Sequence, residues 1–257
     1  MAKKRRYTTF VIALVALALW QAVYALKLFP PLLFPSLADI ARALVDGLFH
    51  RRMLEATAHT MLLIGRGLMI GAAIALVGSV LSIRFEGFGA VYQAIVALCD
   101  PLPGIALMPL AILWFGTGEA GIVFLIVHSV AWPLSRSLIE GFRATPPMYL
   151  EIGRNIGLNR FGLMRAIYLP ASLSYALLGL KTGWARAWRA VISAEMLFGV
   201  AGNAVGIGWH IYTSRYQMDT AGAFAALAVI IVASLAVEYG LFRTLENLTL
   251  KRWGMMK

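Results

Sequence analysis

The chain has 257 residues, of which 60% are hydrophobic and only 14% are charged. Soluble domains average about 45–50% apolar and about 25% charged residues, so this composition excludes an ordinary soluble protein. The net charge is +11, but the basic residues cluster beside long apolar runs, which favours membrane orientation over nucleic-acid binding. The single cysteine excludes an internal disulfide, and the four histidines lack metal-ligand spacing, so no metal or cofactor is expected.

Long apolar runs bounded by charges, proline or glycine predict membrane-spanning helices along the whole chain. Roughly 20 apolar residues cross the hydrocarbon core, whereas strands of a membrane barrel would alternate apolar and polar residues. The expected fold class is therefore all-α integral membrane, with one transmembrane domain over residues 1–257. The six predicted spans are 10–28, 57–82, 90–114, 119–139, 170–197 and 220–242.

Basic residues predict the orientation of these spans. The run Lys3 to Arg6 precedes the first span and places the N-terminus in the cytoplasm by the positive-inside rule. Six spans return the C-terminus to the same side, together with the basic connection 140–169. Residues 1–25 also fit a secretory signal, but their long apolar run lacks a small-x-small cleavage site, so an uncleaved signal anchor is expected.

A short amphipathic helix is predicted over residues 34–50, between the first two spans. Ser36 with Asp39 three positions later resembles a capping box. Apolar residues then recur at helical spacing, which is typical of a helix lying at the outer membrane surface and packing on the bundle. These residues are Leu37, Ile40, Leu44 and Leu48.

The third span contains prolines that predict a broken or kinked helix, namely Pro101, Pro103 and Pro109. Such a break is tolerated where neighbouring helices or a cavity satisfy the freed backbone groups. Glycine pairs at G-x-x-x-G spacing, such as Gly67 with Gly71 and Gly179 with Gly183, permit close helix contact, although this spacing arises easily by chance.

A charged segment at 146–169 interrupts the apolar chain before the fifth span. Pro146-Pro147 prevents the preceding helix from continuing, and a helix is expected from about Met148 to Ile156. Gly157 tolerates the left-handed conformation of a helix stop, and Asn159 can cap a second helix to about Tyr168. The pattern predicts a cytoplasmic helix–turn–helix, against the alternative of a solvated loop.

The fifth span is expected to cross lipid and yet carries Lys181, Arg186, Arg189 and Glu195. A charge at mid-bilayer costs about 2.5–3.5 kcal/mol on insertion scales, so such residues face a cavity or a partner. Partners on one helix lie three or four residues away, and neither Arg189 nor Glu195 has an opposite charge there. Two interpretations are open: pairing with another span or a second copy, or Arg189, with Arg186, facing a solute path and attracting an anion.

The spacing within the charged segment is specific. It resembles the EAA signature of binding-protein-dependent ABC importer permeases: Glu-Ala-Ala, three residues, Gly, nine residues, Ile, one residue, Leu-Pro. The two alanines are Ile152 and Gly153 here, and Ile152 is the real departure because glycine is still small. The matching anchors are Glu151, Gly157, Ile167, Leu169 and Pro170.

The resemblance extends over most of the chain. Residues 100–118 are similar to the third core helix of the nitrate, sulfonate and taurine branch of this family, and residues 187–197 and 206–227 are similar to its fifth helix and following loop. The branch implies the type I ABC importer permease fold and a bacterial cytoplasmic membrane location.

The resemblance also implies function and partners. Two ATP-binding subunits, an external substrate-binding protein and a second permease copy in a homodimer are expected, with ATP and Mg bound by the ATPase. Segment 146–169 would be the coupling segment that docks in a cleft on the ATPase. Glu151 would form an ion pair with a basic residue there. Its expected contact residues are Glu151, Gly153, Arg154, Gly157, Asn159, Arg160, Ile167, Leu169 and Pro170. The expected substrate path comprises Arg186, Arg189, Glu195, Pro101, Pro103 and Pro109.

Two other classes of protein fit the sequence less well than an ABC permease. An ion-coupled secondary transporter often shows paired repeats of broken helices, and no such repeat is found. A membrane enzyme would need a nucleophile with a base or a metal site, and the sequence offers no such cluster. The chain also lacks a G-x-x-x-x-G-K-[ST] phosphate loop, so energy from ATP is expected to come through a partner.

Overall fold

The computed structural model describes residues 2–199 and 205–251, and within these ranges the chain is helical with no strand. Thirteen α-helices, joined by short turns of other helix types, follow one another along the described ranges. They are α1 (Ala2–Ala25), α2 (Leu37–Phe49), α3 (Met53–Arg84), α4 (Glu86–Cys99), α5 (Met108–Phe115), α6 (Glu119–Arg143), α7 (Pro147–Asn155), α8 (Arg160–Leu163), α9 (Leu169–Ala171), α10 (Leu173–Phe198), α11 (Ile207–Tyr216), α12 (Thr220–Ala236) and α13 (Arg243–Glu246).

Three continuous helical stretches in the described ranges are long and apolar enough to cross a bilayer: Met53–Arg84, Glu119–Arg143 and Thr220–Thr249. Two bent helix pairs raise this number to five if each pair is one span. The first joins Glu86–Cys99 to Gly104–Phe115 at 96°, and the second joins Arg160–Ala171 to Leu173–Phe198 at 65°.

Five of the six predicted spans therefore have a matching stretch, and the first, 10–28, stays a prediction because it includes residues 10 and 13, whose side chains lie outside the described part of the chain. The helix α1, Ala2–Ala25, covers most of this predicted span, and its described apolar stretch is Leu14–Ala25. The third span is broken, as its prolines indicated.

α2 begins with the predicted capping box. Ser36 accepts a hydrogen bond from the backbone N–H of Asp39, and the Asp39 carboxylate accepts from the backbone N–H of Ser36. Hydrogen bonding from Ser36 holds the pKa of Asp39 below its usual value. Leu44 and Leu48 pack against Ala225 and Ala226 of α12, so α2 is a packing element of the bundle.

α6 lies at the centre of the bundle, between α3 and α10. Glycines permit the close approach on both sides. A Cβ added at Gly71 of α3 would lie 2.9 Å from Val130 of α6, and one added at Gly183 of α10 would lie 3.1 Å from the same residue. The two predicted G-x-x-x-G pairs are therefore contact faces against α6.

A buried carboxyl group connects α3, α10 and α11. Glu195 of α10 is 1% exposed, and its carboxyl oxygens accept hydrogen bonds from the Thr60 hydroxyl at 2.7 Å and the Gly208 N–H at 2.9 Å. The Thr60 hydroxyl also accepts from the Ile207 N–H at 3.1 Å. Gly206 packs so closely on this carboxyl group that any added Cβ would overlap it. Glu195 thus anchors the first turn of α11, where backbone N–H groups lack partners within the helix.

We expect Gly67→Ala to lower the free energy of unfolding by about 1–3 kcal/mol, the usual effect of overpacking a filled contact. The obstructing side chain is Ile126 of α6, whose β-branched group has few rotamers available in a helix. Gly65→Ala is the matched control, because its added Cβ faces open space. Thermal unfolding in detergent checks this, and equal midpoints for the two variants would contradict it.

We expect Thr60→Val to destabilise the protein by about 1–3 kcal/mol, because the Glu195 carboxyl and the Ile207 N–H each lose a buried partner. Thr57→Val is the control, since the Thr57 hydroxyl donates only to the Met53 carbonyl of the same helix. Thermal unfolding and limited proteolysis after α10 measure the effect. Equal stability of the two variants would show that Thr60 does not hold α11.

Candidate functional site

A cavity of about 390 Å³ lies where the break between α4 and α5 faces α6 and α10. The break supplies a wall of proline and apolar residues, and α6 and α10 supply polar side chains. The lining residues are Asp100, Pro101, Leu102, Pro103, Gly104, Ile105, His128, Ser129, Arg186, Arg189, Ala190 and Ser193.

A charge cluster forms one side of this cavity. The Asp100 carboxylate, 8% exposed, accepts from Arg186 of α10 at 2.6 Å and pairs with Arg136 of α6 at 3.1 Å. Arg186 also donates to the backbone carbonyl of Asp100 at 2.9 Å. One carboxylate is therefore shared by two guanidinium groups, and the cluster keeps a net positive charge.

Arg189 adds a further positive charge to the same cavity. It lies three residues after Arg186 on α10, on the same face of the helix, and its side chain is exposed. No residue in the described ranges forms an ion pair or hydrogen bond with it. His128 of α6 also lines the cavity, and both of its ring nitrogens are buried without a hydrogen-bond partner in the described part of the chain. The cavity thus offers donors that are not used within the protein.

The structure brings four of the six residues of the expected substrate path together at this cavity: Arg186, Arg189, Pro101 and Pro103. Pro109 instead lies in the first turn of α5, outside the lining. Glu195 lies on another face of α10 and is bonded to α3 and α11, so the interpretation that it pairs with another span fits its contacts. Lys181 pairs with Glu246 and Glu238 near the C-terminal end of the described chain.

Sequence reasoning missed Asp100, which neutralises part of the arginine charge. The residue sits inside the predicted third span, directly before Pro101, and the cost of a charge in lipid could have identified it. Its partners lie 36 and 86 positions away along the chain, so no local spacing indicates the pairing.

Segment 146–169, the predicted coupling segment, contains the expected turn between two helices. α7 ends at Asn155, and Gly157 follows with φ of +81°, the left-handed conformation expected of it. The Asn159 side chain then caps α8 by accepting from the Gly162 N–H at 2.7 Å. The second helical arm continues beyond Leu163 through a π-helical turn, Met164–Tyr168, into α9, so Leu169 and Pro170 lie within this arm.

The two arms of the coupling segment pack on each other through Gly153. A Cβ added there would lie 2.5 Å from Ile167 and 2.6 Å from Leu163, which explains why this EAA position is small. Outside this contact the charged residues Glu151, Arg154 and Arg160 are exposed.

Apolar side chains on the same surface are also exposed. Met148 and Ile152 of α7 and Ile156, the residue directly after it, recur at four-residue spacing. Ile156 is 71% exposed, and Phe161 of α8 is 73% exposed. Large apolar residues clustered in this way on a charged segment are typical of a protein-binding surface. Ile152, the departure from the EAA pattern, belongs to this row.

Comparison with known proteins identifies relatives over nearly the whole chain. Residues 67–247 match the family described as "Binding-protein-dependent transport system inner membrane component". A probable ABC transporter permease protein of Haemophilus influenzae is 27% identical over 93% of this chain and 95% of its own length. The taurine transport system permease protein TauC of Escherichia coli is 24% identical over 91% of this chain and 86% of its own.

A further relative, the putative aliphatic sulfonates transport permease protein SsuC of Bacillus subtilis, is 23% identical over 92% of this chain and 84% of its own. The family match covers well over half of the chain and includes both the cavity and the coupling segment. The resemblance to the nitrate, sulfonate and taurine branch is confirmed, and the chain is a transport component rather than an enzyme. The chain belongs to the family of inner membrane components of binding-protein-dependent ABC transport systems, as a multi-pass permease subunit.

Proposed function

We propose that this permease forms the translocation path for a small anionic solute, such as nitrate, a sulfonate, taurine or a related organic acid. The observation that carries the proposal is Arg189, an exposed guanidinium in the cavity with no partner in the described ranges. A positive charge within a bundle that crosses lipid is costly unless it meets water or an anion. Taurine and aliphatic sulfonates, named for two relatives, both carry a sulfonate group.

The chemistry of the cavity suits an oxyanion. Arg186 already uses one nitrogen on Asp100, but a guanidinium has five N–H donors, so others remain for a solute. A guanidinium fork matches the oxygen geometry of carboxylates and similar oxyanions. The apolar wall formed by Pro101, Leu102 and Ile105 would accommodate an organic tail.

Energy for transport would come through the coupling segment. In this proposal the exposed apolar row of α7 enters a groove on the ATP-binding subunit, a helix-in-groove contact, while Glu151 pairs with a basic residue there. Two ATPase subunits bind ATP and Mg and drive a homodimer of permeases between inward- and outward-facing states. ATP binding would favour one of two existing states, and an external binding protein would deliver the solute.

The proposed topology places both termini and the coupling segment in the cytoplasm. Basic residues near these parts of the sequence support this orientation by the positive-inside rule. The transmembrane domain would then extend over residues 1–257, with α2 at the outer surface.

Arg189→Gln should strongly reduce uptake of the anionic solute, while Arg189→Lys should retain part of it, because lysine keeps the charge but loses the fork. The measurement is uptake of taurine, an alkanesulfonate and nitrate by proteoliposomes that hold the complete transporter, with ATPase activity recorded in parallel. Arg84→Gln, at the exposed C-terminal end of α3, is the control. Normal uptake by Arg189→Gln would refute an anion path at this cavity.

Glu151→Lys and Gly157→Pro should leave the permease in the membrane and yet uncouple ATP hydrolysis from uptake. The first reverses an exposed charge on the docking helix, and the second is incompatible with a φ of +81°, since proline fixes φ near −65°. The ratio of solute transported to ATP hydrolysed checks both. Glu86→Lys, an equal change of charge in the first turn of α4, should preserve wild-type coupling. Wild-type ratios in both coupling variants would make this segment an ordinary solvated loop.

A further inference from the structure

The break between α4 and α5 is held by side chains from elsewhere in the bundle. α4 ends at Cys99, and the chain turns by 96° through Asp100, Pro101 and Pro103 before it becomes helical again at Gly104. A helix end inside a bundle that crosses lipid exposes carbonyl groups without donors. The orientation of α5 relative to α4 therefore depends on whatever satisfies this turn.

Arg186 donates two hydrogen bonds to this turn. Its Nη1 donates to the Asp100 carboxylate at 2.6 Å and to the Asp100 backbone carbonyl at 2.9 Å, so one side chain of α10 fixes both the side chain and the backbone of the break. Arg136 of α6 provides a second hold on the carboxylate only, at 3.1 Å. Loss of Arg186 would thus free the backbone of the turn while Asp100 kept a counter-charge.

Arg186 also belongs to the proposed anion site. It lines the cavity one helical turn from Arg189, so an oxyanion bound between the two arginines would compete with Asp100 for the same guanidinium. Such competition makes anion binding stronger when Arg186 has left Asp100. A ligand shifts a conformational equilibrium by this kind of difference in affinity.

We propose that Asp100 is the internal counter-ion of Arg186 in the empty cavity, and that the arriving anion takes Arg186 from it and releases the break between α4 and α5. Asp100 is then a positioning residue that converts solute occupancy into movement of the broken helix. This inference rests on the proposed function, because it requires an anion at Arg189. The acidic side chain of Asp100 thereby has a role in a cavity whose proposed solute is itself negatively charged.

The only cysteine of the chain provides a reporter. Cys99 is the last residue of α4, next to Asp100, and is partly exposed. Its rate of labelling by N-ethylmaleimide, in proteoliposomes that hold the permease with its ATP-binding subunit, measures opening of the break. Methanesulfonate and nitrate are the probes, with chloride at equal ionic strength as the reference.

In the wild type, methanesulfonate or nitrate should raise the labelling rate several-fold over chloride. Asp100→Asn should label faster than the wild type without anion and gain little when anion is added. Arg186→Gln breaks the same bond from the other side and should also label faster without anion. Asp100→Glu keeps the charge and should retain an anion response.

Glu119→Gln is the matched control, since Glu119 holds Arg66 at 2.8 Å outside this cavity. It should label like the wild type under all conditions. Uptake kinetics give a second measurement: Asp100→Asn should lower KM for the transported anion, because a competitor is removed, whereas a purely structural defect would lower kcat or the amount of folded protein.

The results distinguish this inference from the proposed function. If Arg189→Gln abolishes uptake but Asp100→Asn labels at the wild-type rate, the switch is refuted and the anion path stands. If Arg189→Gln transports normally, the anion path itself fails. If the Asp100 and Arg186 variants do not fold, the wild type alone decides, and equal labelling in chloride and in both probe anions overturns the proposal.

Discussion

The hydrocarbon core of a bilayer holds no water, so each carboxyl group, guanidinium and broken helix turn in the spans depends on a partner within the protein or on a cavity. This constraint explains the two most distinctive contacts of the bundle. Glu195 is bonded to Thr60 and to the first turn of α11, and Asp100 is bonded to Arg136 and Arg186. In both cases an ionisable side chain lies where a helix begins or ends and forms hydrogen bonds there.

The central position of α6 follows from close packing. Glycines of α3 and α10 approach the same Val130 from two sides, and the apolar cluster around Leu125 and Ile126 fills the space between the three helices. Small residues at a helix contact allow the van der Waals packing that drives association of helices in lipid. A rigid three-helix core of this kind can hold a cavity on one side while the flanking helices move.

α10 connects the two parts of the molecule that matter for the proposed mechanism. Its N-terminal end follows the coupling segment through a 65° bend, and its middle carries Arg186 and Arg189. A displacement of the coupling segment by an ATPase would therefore reach the cavity along a single helix. The contact between Arg186 and Asp100 would pass it on to the broken helix, which links both proposals through one pair of residues.

Features that depend on local geometry and composition follow from the amino-acid sequence alone. The helical class, five of the six apolar stretches, the capping box at Ser36, the left-handed Gly157 and the Asn159 cap are set by residues a few positions apart. The first apolar stretch, 10–28, stays a prediction, since part of it lies outside the described side chains.

Only the tertiary structure decided which charges meet. The sequence shows that Arg189 and Glu195 lack an opposite charge on their own helix, but the side chains that bind Arg186 and Glu195 lie 86 and 135 positions away. The packing of the helices also leaves Arg189 without a partner in the described ranges, whereas it gives Glu195 its partners. Periodicity within a helix reports which face a residue occupies, whereas the choice of partner depends on how helices cross, which no local pattern encodes.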